Sequence, residues 1–315
     1  MISTTRQWTI LGNGAIGHLL ACRFAHHKIP TILLSRSKPS IPTYQVSYQS
    51  KDEVQPYFLD VQSVADCKVV DHLILAVKAH QVEKAINDIK SALKPTSKIF
   101  LLQNGMGTLE KVTELLTDVV DPRQIYPGTN THGVYLSKNV TGMLQVVHAG
   151  FGNIVLGSNY LATTEHNQPD CIEDLKLLTL GVSWVNDIER RLWLKLAINS
   201  AINPLTAINH CLNGELLHSD SLKQQIESLC IESSNLFNQI GIDIQKEQLI
   251  AEVFDVIVKT ADNQSSMLQD TISEKRTEIE AITGYLLKKA KELGVSMPEH
   301  RKVYERIDSM KIKNI

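Results

Sequence analysis

Through the first 187 residues short apolar runs alternate with amphipathic stretches, and from about Ile188 onward only helical spacing of apolar positions remains. Trp8-Thr9-Ile10-Leu11 reads as a strand, and Leu19, Leu20, Ala21 and Phe24 recur behind it at helical spacing. Runs at 31–34, 71–77 and 98–103 have the continuous hydrophobicity of strands buried on both faces, with a helix over 82–93 between the last two. The proline-punctuated stretch 37–67 predicts short antiparallel or irregular elements. A helix over 109–116 precedes β-like runs at 125–132, 143–147 and 153–156, the last two predicting a hairpin through Gly150 and Gly152. A helix over 170–180 and a strand over 182–186 close this half. Then come helices around 192–204, 222–241 and 245–261, a polar joint at 263–266, and a helix over 274–293 that stops at Gly294. The expected fold class is α/β: an N-terminal domain with a parallel sheet over 1–187 followed by an all-α C-terminal domain over 188–315.

Composition narrows the function classes. The 315 residues suffice for two cores, and 43% hydrophobic with 21% charged residues describes a globular chain. A net charge of −2 without any long basic run argues against nucleic acid as a partner. The five cysteines, Cys22, Cys67, Cys171, Cys211 and Cys230, are scattered and form no Cys-x-x-Cys, so neither disulfides nor a zinc site are expected and a reducing compartment fits. With no secretory apolar core near Met1 and no run of membrane-spanning length, the expected location is the cytoplasm and no membrane partner is expected. The histidines, including His26, His27, His132 and His148, lack metal-motif spacing and read as surface or hydrogen-bonded core residues.

Chemistry begins at Gly12-Asn13-Gly14-Ala15-Ile16-Gly17, set between the first strand and the first helix. That context is the one a dinucleotide requires: one glycine turns the chain, a second lets the backbone approach the pyrophosphate, and a third packs helix on strand. Residues 1–187 are therefore expected to form a Rossmann-type dinucleotide-binding domain. At the tip of the second strand stands Arg36, behind Ser35. A carboxylate there would take the ribose hydroxyl of NAD, whereas a guanidinium favours the 2′-phosphate, so the expected cofactor is NADPH. Lys78 and Asn104 follow the strands at 71–77 and 98–103, at the carboxyl ends where open sheets bind ligands. Taken alone, each has an ordinary alternative, a solvated lysine and a turn-forming Asn-Gly.

In the all-helical half, Lys195, Asn199 and Asn203 are spaced four apart in a segment otherwise made of Leu, Ile, Ala and Trp. At roughly 100° per residue they share about an 80° arc of one helix face. The stripe is narrow and free of acidic residues, unlike a solvated face, and two asparagines in a helix argue for hydrogen-bonding duty. Asn203 precedes Pro204, which predicts a kink or a helix end there.

Together these motifs resemble the ketopantoate reductase (2-dehydropantoate 2-reductase) family along nearly the whole chain. The resemblance rests on Leu11 to Gly17, Val77-Lys78-Ala79-His80-Gln81 and Gln103-Asn104-Gly105-Met106-Gly107 in the first half. In the second it rests on Leu192 to Asn199, Ile202-Asn203-Pro204-Leu205-Thr206-Ala207, Asn213-Gly214-Glu215-Leu216, Ser265-Ser266-Met267-Leu268-Gln269-Asp270 and Thr277-Glu278-Ile279-Glu280. It implies NADPH-dependent reduction of ketopantoate to pantoate, a step toward pantothenate and coenzyme A. It further implies Lys195 as general acid, with Asn199, Asn203, Asn213 and Ser266 joining it as substrate contacts. Lys78, Asn104 and Glu278 match positions that hold the cofactor and close the site, and Val134 falls where the family uses main chain near the nicotinamide, in surroundings that differ here. By its own spacing Glu278 reads instead as a surface residue paired with Lys275 or Arg276.

The chemistry agrees with these residues. Hydride addition to a ketone develops negative charge on oxygen, which an ammonium within hydrogen-bond reach stabilises and then protonates. Two other readings stay open: a reductase of a different 2-keto or 3-hydroxy acid, and an NADPH-binding sensor, which has no need of Lys195. A monomer and a homodimer are both compatible with the sequence. If the Arg36 contact contributes ~1.5–3 kcal/mol, Arg36→Ala weakens NADPH binding roughly ten- to a hundredfold and leaves NADH nearly unchanged. Equal losses for the two nucleotides, in a binding titration, refute the assignment.

Overall fold

The computed structural model describes residues 6–37, 39–51, 53–164 and 167–310. Contacts divide the chain into two compact units, Met1–Gln103 with Thr108–Ile188 and Asn104–Gly107 with Glu189–Ile315. In the first unit the elements run β1 (Trp8–Leu11), α1 (Ala15–His26), β2 (Thr31–Ser35), β3 (Thr43–Gln49), β4 (Val54–Ser63), β5 (Val70–Leu75), α2 (Val82–Ile89), β6 (Leu93–Leu101) and α3 (Thr108–Leu116). They continue through β7 (Ile125–Asn130), β8 (Gly133–Lys138), β9 (Leu144–Gly150), β10 (Ile154–Leu156), α4 (Ile172–Leu177) and β11 (Val182–Trp184).

Among the described residues eleven strands form one sheet in the order β11-β10-β7-β6-β5-β1-β2-β4-β3-β9-β8. Its centre, from β7 through β6, β5 and β1 to β2 and β4, is parallel. Buried strands alternate their side chains between two cores. Ile10, Leu33, Ile74 and Phe100 pack on the α1 side, and Leu11, Leu34, Leu75 and Leu101 on the side of α2 and α3. Burial on both faces accounts for the unbroken apolar runs.

The stretch 37–67 holds an antiparallel hairpin, β3 with β4, paired from Thr43↔Asp60 to Gln49↔Val54. Pro56 is tolerated because β4 meets β2 only at Val61–Ser63, leaving the strand without a second neighbour at the proline. The hairpin expected through Gly150 and Gly152 does not form. β9 pairs with β8 and β3, and β10 pairs with β7 and β11. The turn that forms instead lies at Asn139–Gly142: the Asn139 side chain accepts from Thr141 N and Met143 N, and Gly142 takes a φ of +79°.

Only Thr131 and His132 separate β7 from β8, although β7 is the third strand from one end of the sheet order and β8 is the last at the other. The sheet therefore curls, and α1, packed against β1, β2, β4, β8 and β9, lies inside the curl. This explains why Gly17 to Phe24 are buried without interruption, a pattern no surface helix shows.

Inside this unit Tyr48 donates its hydroxyl to His148 Nδ1 (2.9 Å), His148 Nε2 donates to His132 Nδ1 (3.0 Å), and His132 Nε2 donates to Leu180 O (3.0 Å). Gly152 N also donates to His132 Nδ1, so both rings are satisfied only when neutral. Burial pulls the His148 pKa down to about 4, and that of His132 below its ordinary value.

The second unit is helical: α5 (Ile188–Asn209, shared at its first residue with the first unit), α6 (Asp220–Ile240), α7 (Lys246–Lys259), α8 (Ser266–Ile272), α9 (Tyr285–Leu293) and α10 (Pro298–Ser309). α5 runs through Pro204 without ending there, because Pro204, Leu205, Thr206 and Ala207 are buried and tertiary packing outweighs the local penalty. The helix expected over 274–293 begins later. α8 closes with Glu274 in the left-handed region and Lys275 N bonded to Asp270 O, and a π-helical turn, Glu280–Gly284, then leads into α9. α10 was not expected, since only His300, Val303 and Ile307 of its residues are buried in a strongly polar sequence. Its start is held by Glu232, which accepts from Glu299 N, His300 N and His300 Nδ1, while His300 Nε2 faces the Ser200 and Ser233 hydroxyls at 3.2 and 3.4 Å. No helix among the described residues is long and apolar enough to cross a membrane.

A group whose folded pKa lies below its unfolded value stabilises above the unfolded pKa and loses that contribution as pH falls toward the folded one. For His148 the window runs from 6.5 down to about 4, and the loss is on the order of 3 kcal/mol. Urea unfolding at about pH 7.5 and about pH 4.5 is expected to show a smaller difference for Tyr48→Phe/His148→Phe than for wild type. An equal difference removes the histidine chain from the acid response.

Candidate active site

Two constellations of the expected residues stand out, one in each unit. In the first, Gly12 takes a φ of +134°, and a Cβ there would lie 2.6 Å from the carbonyl carbon and oxygen of Ala76. A Cβ on Gly17 would lie 1.7 Å from Gly12 O. These two glycines are therefore required by close backbone approach. Gly14 differs: nothing stands within 4 Å of its Cβ position. It precedes α1 with no side-chain cap, and Asn13 and Gly14 are exposed. An uncapped helix start with an open glycine is a cradle for an anion, since the N–H groups of Ala15, Ile16 and their neighbours point outward along the helix dipole. The turn thus fits the diphosphate of a dinucleotide.

Arg36 follows the end of β2, exposed and without an ion pair among the described residues. Because Leu34 pairs with Leu11 and Leu11 with Leu75, the segments bearing Gly12, Arg36 and Lys78 leave the same carboxyl edge of adjacent strands. Lys78 is partly buried before a short 3-10 turn, Ala79–Gln81. Val134 lies elsewhere, in β8 opposite His148, packed against the core around α1.

The second constellation is complete within the helical unit, because Asn104–Gly107 cluster with it. Lys195 Nζ donates to Asn104 Oδ1 at 3.0 Å, and Asn104 Nδ2 donates to Glu278 Oε2 at 3.2 Å. Glu278 is only 6% exposed, so it is not the surface residue its own spacing suggested. Burial lowers the Lys195 pKa to about 8, with Glu278 opposing that shift. An ammonium of this pKa is still mostly protonated at neutral pH and gives up its proton readily.

Asn199 and Asn203 continue the stripe from Lys195, partly buried, and their side chains make no hydrogen bond among the described residues. Asn213 is buried at the start of a 3-10 stretch, Asn213–His218. Its Nδ2 donates to Thr260 Oγ1 (2.9 Å), its main-chain N to Asn263 O (3.0 Å), and its Oδ1 is buried without a partner. Ser266, the first residue of α8, is exposed, whereas its neighbour Ser265 caps the helix and accepts from Thr206 Oγ1 of α5 at 2.6 Å. Ser265 and Thr260 carry supporting bonds that sequence reasoning did not single out, and no local signal marked them.

Residues 8–160 match the family described as ketopantoate reductase PanE/ApbA, and residues 187–311 match its C-terminal counterpart. The chain is 36% identical over 244 residues to the 2-dehydropantoate 2-reductase of Yersinia pestis, covering 75% of this chain and 72% of that protein. It is 33% identical over 307 residues to the enzyme of the same name from Shigella flexneri, covering 95% and 93%. A solved structure of D-mandelate dehydrogenase with NADH and anilino(oxo)acetate shares the fold, with a TM-score of 0.81 at 20% identity over 97% of this chain and 98% of that one.

Glu278→Gln is expected to lower the Lys195 pKa below about 8, since the neutral amide no longer favours the ammonium. The pH dependence of Lys195 acetylation, read by mass spectrometry, measures it. An unmoved inflection means that Glu278 does not act on this lysine.

Proposed function

Because the chain belongs to the ketopantoate reductase PanE/ApbA family, we propose that it reduces 2-dehydropantoate to pantoate with NADPH, a step toward pantothenate and coenzyme A. The observation that carries this reading is the hydrogen-bonded run from Lys195 through Asn104 to Glu278. The division of labour follows the sequence: residues 1–187 bind the dinucleotide, and 188–315 supply the substrate contacts.

When bound, the dinucleotide supplies the hydride that adds to the C2 ketone. The uncapped start of α1, with Gly12, Asn13, Gly14, Ala15, Ile16 and Gly17, holds its diphosphate, and Arg36 favours the 2′-phosphate. Lys78 joins them at the same strand edge. Lys195 has the central role: its ammonium donates to the ketone oxygen, stabilises the developing alkoxide and then protonates it. Asn104 accepts from the same ammonium and so aims it, while Glu278 keeps it charged until a stronger base forms beside it. Asn199, Asn203, Asn213 and Ser266 offer donors and acceptors to the substrate's carboxylate and hydroxyl. The unpartnered Oδ1 of Asn213 supports a role as acceptor for that hydroxyl, since a buried lone pair left unpaired is costly. Five free cysteines are compatible with a reducing, cytoplasmic setting.

Loss of reduced-nicotinamide absorbance, with ketopantoate run beside simpler 2-keto acids and NADPH beside NADH, tests the proposal. Rapid NADPH-selective turnover of ketopantoate is expected, and Lys195→Ala lowers kcat by on the order of 10²–10⁴ while NADPH binding persists. Preference for an aryl 2-keto acid moves the substrate assignment, and unchanged turnover in Lys195→Ala removes that residue from the reaction.

A further inference from the structure

An amide placed between a cation and a carboxylate works only in one orientation, oxygen toward the ammonium and nitrogen toward the carboxylate. Asn104 has that orientation, and its main-chain neighbours explain how it is kept. Met106 N donates to Ala281 O at 2.9 Å. Gly105 has a φ of +82°, and a Cβ there would lie 2.3 Å from the same carbonyl oxygen, 2.6 Å from its carbon and 2.8 Å from Ala281 Cβ. Gly107, at φ +90°, leaves a Cβ position 3.2 Å from the Tyr285 ring. Loop and helix start are thus in backbone-to-backbone contact, with no flexible side chain between them to give way.

The partner surface is itself irregular. Ala281 lies inside the π-helical turn Glu280–Gly284, where Gly284 N reaches back five residues to Ile279 O at 2.9 Å. Such single turns displace carbonyls from the regular helical ladder, which lets them accept from elsewhere. The turn begins two residues after Glu278. One short segment therefore presents both the carboxylate that receives Asn104 Nδ2 and the carbonyl that receives Met106 N.

We infer that Gly105 and Ala281 are positioning residues for the proton donor, their backbone contact holding Asn104 in the one pose that serves Lys195 and Glu278 together. The inference rests on the reading of Lys195 as general acid. Each acts through Asn104.

The test titrates Lys195 acetylation against pH by mass spectrometry, on resting protein without substrate, in Asn104→Ala, Gly105→Ala and the double variant. Loss of the amide oxygen removes an acceptor from the ammonium, so Asn104→Ala moves the inflection downward by about half a pH unit or more. Gly105→Ala moves it the same way, and the double variant moves it no further than Asn104→Ala alone, as expected of residues acting in series. In turnover assays, Gly105→Ala lowers kcat by roughly ten- to a hundredfold. Ala281→Val, which crowds the contact from the other side, reproduces the shift and stands in if Gly105→Ala does not fold. A wild-type inflection in both Gly105→Ala and Ala281→Val, or additive shifts in the double variant, overturns the inference. Absence of ketopantoate turnover by wild type rejects the proposed substrate instead, and leaves the titration to decide the positioning role.

Discussion

A desolvated ammonium is the constraint on which the helical unit turns. Taking a lysine out of water costs several kcal/mol unless acceptors and a counter-charge replace the solvent, and at Lys195 they are Asn104 Oδ1 and the field of Glu278. Each demand propagates. The acceptor has to be brought in on a loop of its own, that loop needs glycines at Gly105 and Gly107 to lie flat against a helix start, and the helix start needs a π-helical turn to offer a carbonyl. Gly105, Gly107 and the π-helical turn, three of the local irregularities of this unit, lie within a few residues of Asn104 or Glu278.

The sheet unit follows a different economy. Its glycine turn is tight where it meets the protein, at Gly12 against Ala76 and Gly17 against Gly12, and open where it meets solvent, at Gly14. That asymmetry needs α1 to be immobile, and the curl of the sheet provides it by burying the helix from Gly17 to Phe24. Curling brings polar groups inside as well. Tyr48, His148 and His132 are paired end to end in neutral form, which satisfies them at the expense of tolerance to acid.

The change from mixed to purely helical patterning was legible because periods of 2 and 3.6 are local properties of the chain, and so was the strand–glycine–helix start. Residues 43–63 were left open between antiparallel and irregular elements, because a polar hairpin half open to solvent carries too little hydrophobic contrast to decide, and the antiparallel pair is what forms. The errors share a cause. The hairpin at Gly150 failed because the strands on either side belong to distant parts of the sheet. α10 escaped because three inward residues, one of them His300, make a faint stripe. In the site, the Lys195 stripe was visible from spacing and Asn104 from its place at the carboxyl end of a strand, though an Asn-Gly turn was its ordinary alternative. Glu278 was singled out only through the family resemblance, and by its own spacing it read as a surface carboxylate.

The sequence by itself determined most of the classes of element, the glycine-rich start of α1 and the polar stripe of α5, since each depends on residues within one or two turns of each other. Tertiary structure alone decided that Lys195 would meet a residue 91 positions away and that this residue would meet another 174 positions away. It also decided which glycines are obligatory, since Gly105 is pressed against Ala281 while Gly14 has nothing beside it. Local spacing records how a chain faces its own axis. Which group lies opposite is set by packing across the fold, and at this site that packing chooses the partners of Lys195.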